Sequence, residues 1–267
     1  MASRPQTFGD CIMKDVKGRS VYAKTHGQNE LINTIANYDV TFAAGPAGTG
    51  KTFLSVVMAA KALQEGIYDK VILVRPAMEA GENLGFLPGG FEDKVGPYMR
   101  PLFDSLEAVL PRPKVNTPQE VYTSASGKKG KRKAPEPAQP LPQDSIGWGD
   151  KVEIAPLAYM RGRSLNRCFI ILDEAQNATK AQMKMFLTRM GQGSKIVVSG
   201  DDRQCDLPYS DMSGFMHAFK LLEGQKGIGT VVLNESDIVR HELVKRIVKA
   251  YEDEGKDYRR EGVLSNR

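Results

Sequence analysis

An α/β fold, a mostly parallel sheet with helices on both faces, is predicted by three features of the chain. Short apolar runs alternate with segments of helical periodicity. The first of these runs leads through a glycine-rich loop, Gly45–Thr52, into a helix-period segment. A later run, Phe169–Leu172, ends in two adjacent carboxylates, Asp173 and Glu174.

The elements follow in order. Residues 1–25 are polar and broken by Gly9 and Gly18, which reads as an arm carrying a short strand at Ser20–Ala23. Leu31, Ile32 and Ile35 give residues 28–37 helical spacing, and Val40–Ala44 is an apolar run short enough to be a buried strand. Residues 51–64 repeat the helical pattern through Leu54, Val57, Met58 and Ala62; Lys70–Val74 is a second strand, closed by Arg75 and Pro76. A helix over 92–109 is stopped by Pro111 and Pro113. Residues 111–149 are rich in Pro, Ser, Gly and Lys, with few large apolar side chains, and read as a mobile basic insertion. Strands resume at Lys151–Ile154, Phe169–Leu172 and Lys195–Ser199, with a helix at 179–189 between the last two. A helix at 212–222, a strand at Thr230–Leu233 and a helix at 237–252 complete the pattern. The expected organisation is one domain, 26–110 plus 150–252, interrupted by the insertion and followed by a frayed tail at 253–267.

Composition narrows the class. The 267 residues are 41% hydrophobic, enough for a sizeable core. Three cysteines (Cys11, Cys168, Cys205) without CxxC spacing, and only three histidines, argue against a disulfide framework or a Cys/His zinc site. No apolar run reaches the roughly 18 residues of a membrane span, and the N-terminal MASRPQTFGDC lacks an apolar signal core. A cytoplasmic protein without a membrane partner is the expectation. The net charge of +5 equals the five charges of Lys128, Lys129, Lys131, Arg132 and Lys133, so the rest of the chain sums to zero. That run would grip phosphates non-specifically, or serve only as a solvated tether.

Gly45, Pro46, Ala47, Gly48, Thr49, Gly50, Lys51 and Thr52 match the phosphate-loop pattern GxxxxGK[ST] at every defined position. Glycines let backbone N–H groups turn inward around phosphates, Lys51 adds a positive charge at the β- and γ-phosphates, and Thr52 offers a hydroxyl to Mg²⁺. Asp173 is the expected second Mg²⁺ group and Glu174 the residue that polarises an attacking water; a helix-capping role for Asp173 is the alternative. After the strand at Lys195–Ser199 come Gly200, Asp201, Asp202, Arg203 and Gln204. Ser199, Asp201 or Gln204 would touch the γ-phosphate or its water if this strand neighbours the acidic one; composition alone equally permits a plain polar loop. Arg240, read as lying in the first turn of the last helix with Asp237 offsetting its charge, is a candidate arginine finger or a solvated surface residue. The amide of Gln28, upstream of the loop, suits an adenine edge.

Longer stretches carry a resemblance. AAGPAGTGKT at 43–52, VRPAMEAGENLGFLPGGFEDKVGPYMRPLFD at 74–104, VEIAPLAYMRGRSLN at 152–166, FIILDEAQNATKAQMKMFLTRMGQGSKIVVSGD at 169–201 and DIVRHELVKRIVKAYE at 237–252 resemble the PhoH-like ATPases. The resemblance implies a RecA-like P-loop NTPase core related to superfamily-one helicases, ATP and Mg²⁺ as cofactors, ATP hydrolysis, and a role with single-stranded RNA or DNA. By the same resemblance Gln28 stands where helicases keep an adenine-reading glutamine and Gln204 resembles the glutamine that couples nucleotide state to a bound strand. Arg75 lies at a strand-contacting motif, with Arg161 and Arg163 in the AYMRGR stretch. The sequence reads as one core, where two-core helicases supply an arginine from a second, so a homo-oligomeric ring, six subunits by resemblance, is expected with Arg240 acting in trans. Three function classes remain: a motor on single-stranded nucleic acid, an ATP-driven regulator or remodeller of a protein partner, and a small-molecule kinase. The last suits Asp173-Glu174 least.

Overall fold

The computed structural model describes residues 8–76, 91–111, 148–201, 203–207, 213–240, 243–244 and 246–247. The basic run 128–133, most of the insertion, Asp202, residues 77–90, His241 and the tail lie outside the described residues.

The expected alternation is realised as a six-stranded sheet in which every pairing is parallel. The strands are β3 (Val40–Ala44), β4 (Lys70–Arg75), β5 (Val152–Pro156), β6 (Cys168–Leu172), β7 (Lys195–Gly200) and β8 (Ile228–Val232). Their order is β5-β4-β6-β7-β3-β8. The helices are α1 (His26–Asn37), α2 (Lys51–Gln64), α3 (Phe91–Val109), α4 (Lys180–Leu187) and α5 (Gly214–Leu222). Successive strand side chains point to opposite faces. Ala43, Val71, Leu73, Ile171 and Val197 face one layer, with Leu31 and Ile35 of α1, Leu54 and Val57 of α2, and Leu102 and Leu106 of α3. Phe42, Ile72, Ile170, Ile196 and Val198 face the other, with Phe186 of α4 and Phe215 and Phe219 of α5. Both faces are therefore covered, which is why these strands read as unbroken apolar runs rather than alternating ones.

Two expectations change. The N-terminal segment carries β1 (Phe8–Lys14) as well as β2 (Ser20–Ala23), paired as an antiparallel hairpin with a register shift between Phe8 and Met13. Ile12 packs into the α1–α2–α3 layer with Met13 partly buried against it, and these two side chains anchor the strand. At the other end, the expected helix 237–252 does not begin at Asp237. Glu235–Asp237 is a 3₁₀ turn and residues 238–240 are irregular; helix occurs at 243–244 and 246–247. Arg240 thus precedes that helix, and the dipole argument about its first turn does not apply.

The sheet order decides the site. β7 lies between β3, which feeds the phosphate loop, and β6, which ends at the acidic pair. Register places Ala43 opposite Ser199 and Leu172 opposite Val198. The carboxyl ends of β3, β6 and β7 therefore meet on one edge of the sheet, where open α/β folds hold their ligands.

Candidate functional site: a phosphate loop joined to an acidic pair

Residues 45–50 turn tightly from β3 into α2. Gly48 and Gly50 both have φ of +86°, where a side chain is strained, and Gly50 caps α2 with no side-chain hydrogen bond to its first N–H groups. Those amides are the natural partners of an anion. Lys51 is buried and curls back, Nζ donating to Gly45 O at 2.5 Å and Pro46 O at 2.9 Å. Burial pushes its pKa down, opposed by the charges of Asp201, Asp173 and Glu174.

Asp173 joins the loop to the acidic strand. Its Oδ1 accepts from the Thr52 hydroxyl at 2.7 Å and from the Ser199 hydroxyl at 2.8 Å. Its Oδ2 accepts from Arg75 Nε at 3.0 Å and Nη2 at 2.5 Å. Hard oxygen donors at Thr52 and Asp173 suit Mg²⁺, and no group of three or more His, Cys, Asp or Glu side chains gathers a metal cage among the described residues. Two oxygen donors of this kind would leave the other positions of an octahedral Mg²⁺ to further oxygen ligands.

Glu174 is half exposed and adopts φ 54°, the left-handed region that a non-glycine residue enters at some cost. Gln176, fully buried, holds this corner. Its Nε2 donates to Glu174 Oε2 at 2.7 Å and to Gln204 O at 3.3 Å, and its Oε1 accepts from Asp201 N at 3.0 Å. Asp201 in turn reaches the phosphate loop, Oδ2 accepting from Ala47 N at 3.0 Å. Lys51, Thr52, Arg75, Asp173, Glu174, Asp201 and Gln204 line one cleft of about 250 Å³.

The remaining candidates fall as follows. Gln28 is buried with both ends of its amide engaged: Nε2 donates to Thr49 O at 2.9 Å and Oε1 accepts from Lys24 N at 2.8 Å. In this arrangement it braces the phosphate loop. Gln204 lines the cleft, and its backbone carbonyl is the group held by Gln176. Arg240 lies over the phosphate loop of its own chain: Val239 N donates to Gly48 O at 2.9 Å, and a Cβ on Gly48 would collide with Arg240 Nε. An arginine of the same chain thus lies beside this loop. Asp237, buried, completes a capping box on the 3₁₀ turn, its Oδ2 accepting from Asn234 N at 3.0 Å, while its Oδ1 accepts from Gly27 N at 3.1 Å and ties the segment before Arg240 to α1. Arg163 is bound to Glu153 through both terminal nitrogens, whereas Arg161 is exposed.

Sequence reasoning does not reach the brace formed by Gln176 or the Arg75–Asp173 pair. DEAQ places a glutamine beside the acidic residues, but its partners Asp201 and Gln204 lie 25 and 28 residues away.

A parallel sheet with helices on both faces, a GxxxxGK[ST] loop after β3 and an acidic pair after β6, two positions away in the sheet, define a P-loop NTPase. The family profile described as "PhoH-like protein" matches residues 20–252, and the chain belongs to that family. It is 46% identical over 241 residues to the PhoH-like protein of Bacillus subtilis (strain 168), covering 90% of this chain and 67% of that one. It is 44% identical over 235 residues to the PhoH-like protein of Mycobacterium tuberculosis (strain ATCC 25618 / H37Rv), covering 88% and 59%. Protein PhoH of Escherichia coli (strain K12) is 40% identical over 231 residues, covering 86% and 58%. The chain thus spans about three-fifths to two-thirds of the length of these relatives. Among solved structures, the SWI2/SNF2 ATPase core of Sulfolobus solfataricus in complex with dsDNA aligns with TM-score 0.38 and 13% identity, over 77% of this chain and 43% of that one. The large terminase of a thermophilic bacteriophage aligns with TM-score 0.42 and 11% identity, over 84% and 49%. At these scores neither adds to the argument from strand order. No described helix is long and apolar enough to cross a membrane.

Proposed function

We propose that the chain binds and hydrolyses ATP with Mg²⁺ and couples that cycle to single-stranded nucleic acid. The observation that carries the nucleotide part is the 2.7 Å bond from Thr52 of the phosphate loop to Asp173 of the acidic pair. Loop amides and Lys51 hold the β- and γ-phosphates, and Thr52 and Asp173 hold the metal. Mg²⁺ bound there neutralises charge on the phosphoryl oxygens. Glu174, oriented by Gln176, positions the water and accepts its proton. Arg240 faces the triphosphate of its own chain. The nucleic-acid part rests on the family resemblance and on two exposed side chains two residues apart after β5, Tyr159, 49% exposed, and Arg161. Aromatic and guanidinium groups are the types that stack on unpaired bases.

Calorimetry with ATP and Mg²⁺, followed by turnover of Glu174→Gln, tests the first part. The variant is expected to bind ATP within about threefold of wild type and turn over at least about 100-fold slower. Wild-type turnover would refute the role of Glu174. Stimulation of turnover by single-stranded RNA or DNA, lost in Tyr159→Ala, tests the second. Its absence favours the alternative, an ATP-driven regulator or remodeller of a protein partner. Mixing Arg240→Ala with Lys51→Ala protein separates cis from trans. No recovery is expected if Arg240 serves its own chain; recovery would instead support a ring, six subunits by resemblance, with the arginine crossing between neighbours.

A further inference from the structure

We infer that Arg75 is a built-in counter-ion that competes with the divalent cation for Asp173, so that guanidinium and metal exchange when a metal-bound triphosphate enters. The inference deepens the proposed function and relies on it for the identity of the nucleotide.

Asp173 is 2% exposed and carries four hydrogen bonds, two on each oxygen. An ionised carboxyl has about four lone-pair sites, so its acceptor capacity is filled. Thr52 and Ser199 occupy Oδ1, and both are neutral hydroxyls whose own lone pairs remain for other partners. The charge of the carboxylate is answered at Oδ2, by Arg75 alone among the described groups bonded to it. Arg75 is itself only 13% exposed. A charge this deep is costly without a partner, which explains why the last residue of β4 is an arginine aimed across the sheet edge.

A cation ligated by Asp173 would meet that guanidinium within a few ångströms, and like charges at such a spacing in a buried place repel strongly. Mg²⁺ also demands oxygen ligands at about 2.0–2.1 Å, which a nitrogen pair at hydrogen-bond distance from Oδ2 obstructs. Exchange has a geometric outlet. Arg75 Nη2 lies 3.8 Å from Glu174 Oε1, and Glu174 is 45% exposed at the mouth of the cleft. A displaced Arg75 moves from the buried carboxylate toward the half-exposed one, beside the residue assigned to the water. Occupation of the metal site is thereby reported to the catalytic carboxylate.

The test uses the full chain and Mn²⁺ as probe, with bound and free ion separated by electron paramagnetic resonance in nucleotide-free protein. A charge-assisted arginine–carboxylate pair contributes enough that its removal should strengthen Mn²⁺ binding by about tenfold or more in Arg75→Gln. Adding Asp173→Asn to that variant should abolish the gain, and Arg75→Lys should lie between the two. Equal or weaker Mn²⁺ binding in Arg75→Gln, with a native-like circular dichroism spectrum at the assay temperature, would overturn the inference; if Arg75→Gln fails to fold, Arg75→Lys carries the comparison. A second arm titrates a non-hydrolysable ATP analogue with Mg²⁺ or with EDTA. The factor by which Mg²⁺ strengthens binding should grow by about tenfold in Arg75→Gln; an unchanged factor counts against exchange. If no triphosphate binds under any condition, the proposed function fails, while the Mn²⁺ comparison still decides the role of Arg75.

Discussion

Replacing Gln176 by alanine removes a buried amide that touches three parts of the site at once. Asp201 N loses its acceptor, and Asp201 is 5% exposed, so water does not readily replace the lost oxygen. Leaving a buried donor unsatisfied costs about 1–3 kcal/mol. Glu174, half exposed, regains water in place of Nε2 and contributes little to the loss. Truncating a fully buried side chain leaves a small void, adding about 1 kcal/mol. A destabilisation of about 2–4 kcal/mol is expected, read as a lower midpoint in urea with an unchanged slope. Function should suffer separately: with Glu174 no longer held at 2.7 Å, turnover should fall by about 10- to 100-fold while ATP affinity stays within about threefold. Gln176→Glu keeps an acceptor for Asp201 N but buries a carboxylate against Glu174 and the Gln204 carbonyl, so turnover should drop and the stability loss should be at least as large as in Gln176→Ala. Wild-type midpoint and turnover in Gln176→Ala would refute the brace.

Two further outcomes follow from the packing. Gly48→Ala forces a side chain into φ +86° and against Arg240, so a loss of about 1–2 kcal/mol in urea unfolding and displacement of Arg240 are expected; unchanged stability and turnover would show that the segment after β8 does not rest on the loop. Glu153 is buried enough to raise its pKa, but hydrogen bonds and charges from Arg163 and Lys70 outweigh this and hold it below the usual glutamate value. Its contribution, about 1 kcal/mol at partial exposure, is present above the unfolded glutamate pKa and fades as pH falls through the folded one. Urea midpoints of Glu153→Gln should therefore lie below wild type at neutral pH and converge on it in acid; a constant gap would contradict the assignment.

Much of the architecture is legible locally. Residues 51–64 are helical between the limits expected, because an amphipathic repeat and the glycine turn before it both lie within the segment. Strands β3, β4 and β6 stand out because burial on two faces demands continuous apolar runs. The last helix starts later than its pattern suggests, for a physical reason. Asp237 and Val239 fit a helical pattern, yet Asp237 also accepts from Gly27 N and Val239 N donates to Gly48 O, some 200 residues earlier. Tertiary partners outweigh local propensity there. The hairpin strand β1 escapes a reading of periodicity because its apolar residues Cys11, Ile12 and Met13 are consecutive rather than alternating, and Ile12 alone among its described side chains is buried.

From residue order alone come the α/β class, the phosphate loop and the acidic pair, since each depends on neighbours within a few positions and on chemistry those residue types share. Strand order belongs to the tertiary structure: β7 between β3 and β6 is set by crossover packing, and it brings Ser199 and Asp201 to Asp173 and Ala47. The same holds for the guanidinium of Arg75 on Asp173, the amide of Gln176 under Glu174 and the seat of Arg240 on Gly48. Each is a contact between segments brought together by burying separate apolar surfaces, a global balance that no short stretch of sequence carries.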